Sequence, residues 1–216
     1  MAGAHPITVA LGIPPDQHKA AATLYCWALT AKVTPFLGPP DRAAAFLADS
    51  IVPDRAITAA RDGVVVGIAG FKYDGCGLFR PGFGQFLRRF PVTGLVRAAG
   101  LSLLERAEAP HGLLMDGLAV HDSARGQGIG TALLDAVEAH ATKLAKAYVR
   151  LDVIDTNPNA RRLYERQGYR PVQTIGVGAL RLVLPFCNVT ELRKPIGPPA
   201  DMAPTPAPSE TQAKGS

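Results

Sequence analysis

Six consecutive residues, Arg125-Gly126-Gln127-Gly128-Ile129-Gly130, carry the clearest chemistry in the chain. They follow an apolar run, Leu113 to Val120, and a polar turn, His121 to Ala124, and they open an amphipathic segment. The first amides of a helix have no internal acceptor, and the helix dipole favours negative charge there. Strand, glycine turn and helix in that order therefore make an anion site. Glycines let a phosphate reach those amides with no Cβ in the way. A P-loop needs Lys and then Ser or Thr after its last glycine, but Gly130 is followed by Thr131 and Ala132, so the Lys is missing. A dinucleotide fingerprint needs G-x-G-x-x-G in the first βαβ unit; the spacing here is wrong, and the turn lies past the middle of the chain. An Arg/Gln-x-x-Gly-x-Gly/Ala pyrophosphate turn is matched by Arg125, Gly128 and Gly130. On these six residues alone, a glycine-rich loop that merely starts a helix stays open.

A second chemical group is Asp116, a carboxylate inside the apolar run. Such a group is costly to bury unless it is paired or functional. It is a candidate general base or substrate anchor, the alternative being a structural carboxylate bonded to a neighbouring strand or loop. His121 is a lesser candidate base, since it begins the turn and is expected to be exposed. His111, Cys76 and Cys187 are weaker still, because a cysteine nucleophile requires a partnered base and the sequence places none.

The elements that must hold these groups follow from periodicity. Ile7 to Leu11 is a short strand. Pro14, Pro15 and Asp16 announce a helix capped by Asp16 and ending near Lys32, followed by an irregular loop from Val33 to Pro40. Asp41 caps a short helix through Ala48. Ala56 to Arg61 and Val64 to Tyr73 flank the hairpin signal Asp62-Gly63. An insertion at about 75–110 is too long for an ordinary hairpin loop and reads as helical and functional. Its last part, Leu95 to Glu108, is amphipathic. Leu113 to Val120 is the central strand. Ile129, Leu133, Val137, Ala141 and Leu144 give a helix over 129–146. Tyr148 to Ile154 is a strand, Pro158 opens a helix that stops near Gly168, and Tyr169 to Ile175 and Leu180 to Phe186 form a closing pair of β-like runs. From Asn188 onward Pro and Ala dominate, and a disordered tail over 188–216 is expected.

Composition bounds the rest. A chain of 216 residues with 47% hydrophobic content suits one well-packed domain. The net charge of +5 accords with an anionic ligand without requiring one. Arg and Lys are dispersed and aromatics few, which speaks against nucleic acid. The three cysteines, Cys26, Cys76 and Cys187, lie far apart with no ligand spacing, so neither a metal nor a disulfide framework is expected. No secretory signal and no membrane span are expected, and a reducing cytoplasm fits.

Two motifs in the right order resemble the GNAT superfamily of acyl-CoA-dependent N-acyltransferases. The first is the turn at Arg125, Gly128 and Gly130. The second is LDVIDTNPNARRLYERQGYRPV, similar to the family's late motif at Asn157, Ala160, Leu163, Tyr164, Gly168 and Tyr169. The resemblance covers roughly Ile7 to Phe186 and is weak across Asp74 to Pro110, where the family usually has a short turn. It implies an α/β (α+β sandwich) fold: a mixed, mostly antiparallel sheet of about seven strands flanked by helices, with the helical insertion before the central strand. The domain would span 1–187. The implied co-substrate is acetyl-CoA, with no metal. Its pyrophosphate would meet Arg125, Gly126, Gln127, Gly128, Ile129, Gly130 and Thr131. Its pantetheine arm would pair with the backbone of Leu118, Ala119 and Val120 where the central strand splays from its neighbour, Gly117 suiting a bulge. Asn157 would reach the same arm. The Leu118 amide would serve the oxyanion, and Tyr164 would protonate the departing thiolate. The implied reaction is direct transfer of an acetyl group to a primary amine of a small molecule. A protein N-terminus or lysine as acceptor, or a CoA-binding sensor or interaction module without turnover, stays open. So does a homodimer through the apolar insertion. The insertion's Arg80, Arg88, Arg89 and Arg97 read as the solvated face of a lid, or as a draw for an acidic acceptor or membrane phosphate.

Overall fold

The computed structural model describes residues 6–95, 97, 98, 108 and 111–196. Seven strands form one sheet: β1 (Thr8–Leu11), β2 (Ala56–Arg61), β3 (Val64–Lys72), β4 (Gly112–Val120), β5 (Tyr148–Ile154), β6 (Arg170–Gly176) and β7 (Asn188–Pro195), in the order β1-β2-β3-β4-β5-β7-β6. Every neighbouring pair is antiparallel except β4 with β5. Helices α1 (His18–Ala28), α2 (Thr30–Leu37), α3 (Pro40–Ala48) and α4 (Phe83–Arg89) contribute to cores separate from the one under α5 (Ile129–Lys143) and α6 (Pro158–Arg166). The mixed, mostly antiparallel sheet flanked by helices is the architecture the sequence implies.

The α5 side is the stronger apolar layer. Leu133, Leu134, Val137 and Ala141 of α5 are fully buried against Leu113, Val149 and Leu151 of the central strands. Burying each large aliphatic side chain contributes roughly 1.5–3 kcal/mol, so α5, and with it the turn at its start, is firmly held. On the other face Ala21, Ala22 and Cys26 of α1 are fully buried. Small residues there allow α1 close to the sheet.

Three elements depart from expectation. The first helix breaks at Leu29 and restarts as α2, which runs through Pro35, so Val33 to Leu37 is helical and not irregular. Burial of Val33, Phe36 and Leu37 outweighs the amide that Pro35 cannot donate. Leu180 to Phe186 is no strand: it holds a 3₁₀ turn over Gly178–Leu182. The last strand is β7, inside the segment expected to be tail. It lies between β5 and β6 and buries Val189, Thr190, Glu191 and Leu192. Glu191 hid this strand in the sequence, yet it is paired in place with Arg150 (3.2 Å) and Arg193. Smaller differences are that Pro39 caps α3 and Asp41 sits in its first turn, while α1 is capped by Gln17 after a 3₁₀ turn that contains Asp16. The expected helix over Leu95 to Glu108 and the Pro/Ala-rich end fall largely outside the described residues, while α4 lies in the insertion.

Candidate active site

The site grows from an interruption in the sheet. β4 and β5 are paired only from Gly112↔Tyr148 to Met115↔Leu151. Beyond that level β5 stays paired with β7 through Ile154, while β4 stays paired with β3 through Val120. The two central strands therefore part, and the β5-facing edge of β4 opens. The register of β4 against β3 shifts at the same place: Gly70 pairs with Gly117 and Phe71 with Met115, so Asp116 is the extra residue of a β-bulge.

Backbone direction follows from one bond. The His121 amide donates to the Val66 carbonyl at 2.8 Å, so His121 faces β3. Alternation then turns Ala119 toward β3, opposite Ile68, and turns the backbone groups of Leu118 and Val120 into the gap. Leu118 and Val120 thus present their amides and carbonyls to the gap, while those of Ala119 are directed to β3. The Val120 carbonyl already accepts from Arg125 Nε at 3.2 Å.

The turn at the head of α5 is built as an amide cradle. Gly126 and Gly128 have φ of +74° and +79°, a region that side-chain-bearing residues avoid, and no atom lies within 4 Å of where a Cβ would stand on either. The first helical bond in α5 runs from the Ala132 amide to the Gly128 carbonyl at 3.0 Å, so the amides of Ile129, Gly130 and Thr131 precede it. Side chains brace the turn. Gln127 Nε2 donates to the Ser123 carbonyl at 3.1 Å, while its Oε1 accepts from Arg61. Arg125 folds back to Asp122 at 2.7 Å. The Thr131 hydroxyl accepts from Gln167 Nε2 at 3.2 Å. His121 is exposed and caps the 3₁₀ turn over Asp122–Ala124 through Nδ1. Asn157 commits its Oδ1 to the Ala160 amide as the cap of α6 (3.1 Å), which leaves its Nδ2 for a ligand.

Tyr164 of α6 is buried in the α5-side core, with its ring 6.1 Å from that of Tyr169. Burial pushes its phenol up to about 12. From the opposite face Tyr25 of α1 reaches the bulge. Burial, and after it the nearby Asp116, Cys26 and Tyr164, raise its phenol well above the ordinary value.

Asp116 is half-buried beside the insertion: its Oδ2 lies 3.0 Å from where a Cβ on Gly77 would stand. It lines a cavity of about 470 Å³ together with Tyr25, Leu114, Met115 and Asp152, and with Phe79, Phe83 and Phe86 of the insertion. Asp152 is the residue after Leu151, as Asp116 is the residue after Met115, so the last paired level of β4 and β5 is followed by a carboxylate on each strand. Two residues of this site escape the sequence reading. Tyr25 sits four residues after Ala21 on the buried stripe of α1, and Asp152 alternates with Leu151 and Val153; both spacings are visible in the chain but read equally well as packing and as a solvated face. Of the weaker candidates, His111 and Cys187 are exposed and Cys76 is half-buried next to Gly77 of the cavity. Cys26 is buried and its thiol is pushed up to about 12. No cluster able to hold a metal ion occurs among the described residues, and no helix among them is long and apolar enough to cross a membrane.

Comparison with known proteins agrees with this geometry. The acetyltransferase (GNAT) family model matches residues 22–169, and the chain belongs to that family of acyl-CoA-dependent acetyltransferases. An uncharacterized N-acetyltransferase of Methanocaldococcus jannaschii is 48% identical over 54 residues, which are 24% of this chain and 35% of that protein. The match thus spans about a third of the curated relative's length. Among solved structures, one described as an acetyltransferase superposes with a TM-score of 0.58 at 21% identity, covering 88% of this chain and 100% of the other. Another, from Salmonella typhimurium and solved with its cofactor acetyl-CoA, gives a TM-score of 0.56 at 15% identity over 90% of this chain and 96% of that one. At these identities the likeness establishes the fold.

Proposed function

We propose that the protein transfers an acetyl group from acetyl-CoA directly to a primary amine of a small molecule, in a ternary complex. The observation that carries this reading is the open edge of β4 where it parts from β5, with the carboxylate-bearing cavity reached just before it at Asp116 and the amide cradle following it at the head of α5.

In this reading the amides from Gly126 to Thr131 hold the pyrophosphate, and Leu118 and Val120 pair with the pantetheine arm as another strand would. The Leu118 amide holds the negative charge that builds on the carbonyl oxygen as the amine attacks. A free alkyl amine is protonated at neutral pH, so Asp116 takes a proton from the acceptor, directly or through water. The new C–N bond forms as the C–S bond breaks. Tyr164 supplies the proton that the departing sulfur needs, and its raised phenol keeps that proton available. The cavity sets Phe79, Phe83 and Phe86 beside a mixed set of charges, Asp116 and Asp152 with Lys32, Lys72 and Arg80, which suits an amine carried on an apolar body that brings polar groups of its own.

The test is release of free thiol from acetyl-CoA with a panel of alkyl and aryl amines, amino acids and short peptides. Turnover of small amines, lost in Tyr164→Phe and Asp116→Asn with acetyl-CoA binding intact, supports the reading. Turnover of peptides alone would move the acceptor to a protein N-terminus or lysine. Binding of acetyl-CoA without turnover of any amine would leave a CoA-binding module in its place.

A further inference from the structure

Gly70 and Gly117 are partners across β3 and β4 at the bulge, and the ring of Tyr25 lies over both. A Cβ on Gly70 would stand 3.2 Å from Tyr25 Cε2, and a Cβ on Gly117 would stand 2.9 Å from Tyr25 Oη and 2.8 Å from Leu29 Cδ1. The two glycines thus open a slot in the sheet that an L side chain at either position would fill. Phe79 packs on the same ring edge-on, with centroids 5.4 Å apart. Two fully buried alanines of α1, Ala21 and Ala22, bring the helix close to the sheet. These contacts direct the Tyr25 hydroxyl onto the backbone immediately before Leu118, where the cavity meets the gap between β4 and β5.

Tyr25 is 5% exposed and lines the cavity together with Asp116. A tyrosine presents an apolar ring for packing and a hydroxyl for hydrogen bonding, and a hydroxyl that borders a cavity can be partnered by what enters it. A slot that holds such a hydroxyl against the reaction level, beside Asp116, is arranged for a partner that arrives with the substrate. Resting on the acetyl-transfer reading above, we propose that Tyr25 is a further catalytic residue: its hydroxyl accepts a hydrogen bond from the acceptor amine and so aims the nitrogen lone pair at the thioester carbonyl. Tyr25 takes no proton in this role. It fixes the direction of approach, while Asp116 receives the proton and Tyr164, from the other face of the sheet, serves the sulfur.

Steady-state kinetics of wild type, Tyr25→Phe, Gly117→Ala and the double variant test this, with amine and acetyl-CoA each varied. Tyr25→Phe keeps the ring in its slot and removes only the oxygen. It is expected to lower kcat by about tenfold or more, a loss typical of misdirected approach, while KM for acetyl-CoA and the thermal midpoint stay near those of wild type. Gly117→Ala displaces the same oxygen, so its effect on kcat should be smaller in the Tyr25→Phe background than in wild type. A Tyr25→Phe kcat within about twofold of wild type would overturn the inference while leaving acetyl transfer standing, and so would a loss confined to acetyl-CoA binding or to folding. Should Gly117→Ala fail to fold, the conservative Tyr25→Phe variant still decides. Wild type that turns over no amine would remove the transfer reading and this inference with it.

Discussion

Asp116 and Asp152 occupy equivalent places on neighbouring parallel strands: each directly follows the last paired residue, Met115 on β4 and Leu151 on β5. Both line the cavity under the insertion. The strands separate at the level where their carboxylates begin, and Lys32, Lys72 and Arg80 line the same cavity.

This arrangement predicts unequal roles for the pair. Asp116, at the bulge beside Leu118, is the proton acceptor in the proposed reaction, so Asp116→Asn should lower kcat by about a hundredfold while acetyl-CoA affinity holds. Asp152 lies on the far side of the gap and, in the proposed reaction, helps to offset Lys32, Lys72 and Arg80 of the same cavity against the incoming ammonium. Asp152→Asn should therefore raise KM for the amine several-fold, with a smaller change in kcat. Both are read from initial rates with the amine varied. Equal losses of kcat in the two variants would contradict this division.

The phenol of Tyr164 sets a second expectation. Burial pushes it from its ordinary value of 10.0 up to about 12, so its acidic form persists well into the alkaline range. As the pH rises, more amine is neutral and the acid is not yet lost. The rate should climb through neutrality and show no decline near pH 10. Tyr164→Phe should be slower across the range. A wild-type rate that falls with a midpoint near 10 would assign the acid to a phenol of ordinary strength.

Much of this site is legible in the chain. Arg125 to Gly130 announce the cradle because positive φ at Gly126 and Gly128 and a helix start at Ile129 are both local demands that local residue types record. Asp116 stands out because a carboxylate interrupts an apolar run. The register shift falls beside Gly117, where the family resemblance implies a bulge. What escapes is set by contacts distant in sequence. Tyr25 becomes a site residue only when Gly70 and Gly117 clear space for it, and Asp152 only when β5 pairs with β4 in one register. β7 is hidden for a similar reason: Glu191 looks solvated until Arg150 and Arg193 arrive from other positions in the sheet. Pro35 misleads because tertiary burial of Phe36 and Leu37 decides that helix.

Glu191 supplies a stability test of the same point. Burial pushes its carboxyl up, but hydrogen bonds from Gln173 and Arg193 and the charge of Arg150 together hold it below its ordinary value of 4.5. A carboxyl lowered in the folded state contributes stability that is present above the unfolded value and is lost as the pH falls through the folded one. Glu191→Gln should therefore cost about 1–3 kcal/mol at neutral pH. The gap to wild type should narrow as the pH falls below 4.5, when measured by urea unfolding. A constant gap across that range would show that shape, and not charge, holds β7.

Helix docking beside the cradle can be tested separately. A Cβ on Gly130 would stand 3.0 Å from Leu163 Cδ2, so α5 and α6 approach through a glycine. Gly130→Ala should shift α6, lower stability by about 1–3 kcal/mol as crowded packing does, and weaken acetyl-CoA binding. Unchanged thermal midpoint and affinity would mean that Leu163 yields without cost.

The central claim is that the glycine turn at the head of α5 is the acyl donor's anion site. Calorimetric titration of acetyl-CoA into wild type and Gly128→Glu tests it most directly, with circular dichroism confirming that the variant is folded despite the positive φ at that position. Binding to wild type that disappears in a folded Gly128→Glu, where bulk and charge enter the cradle, is the predicted result. No binding to wild type, or equal binding to both, would contradict the account.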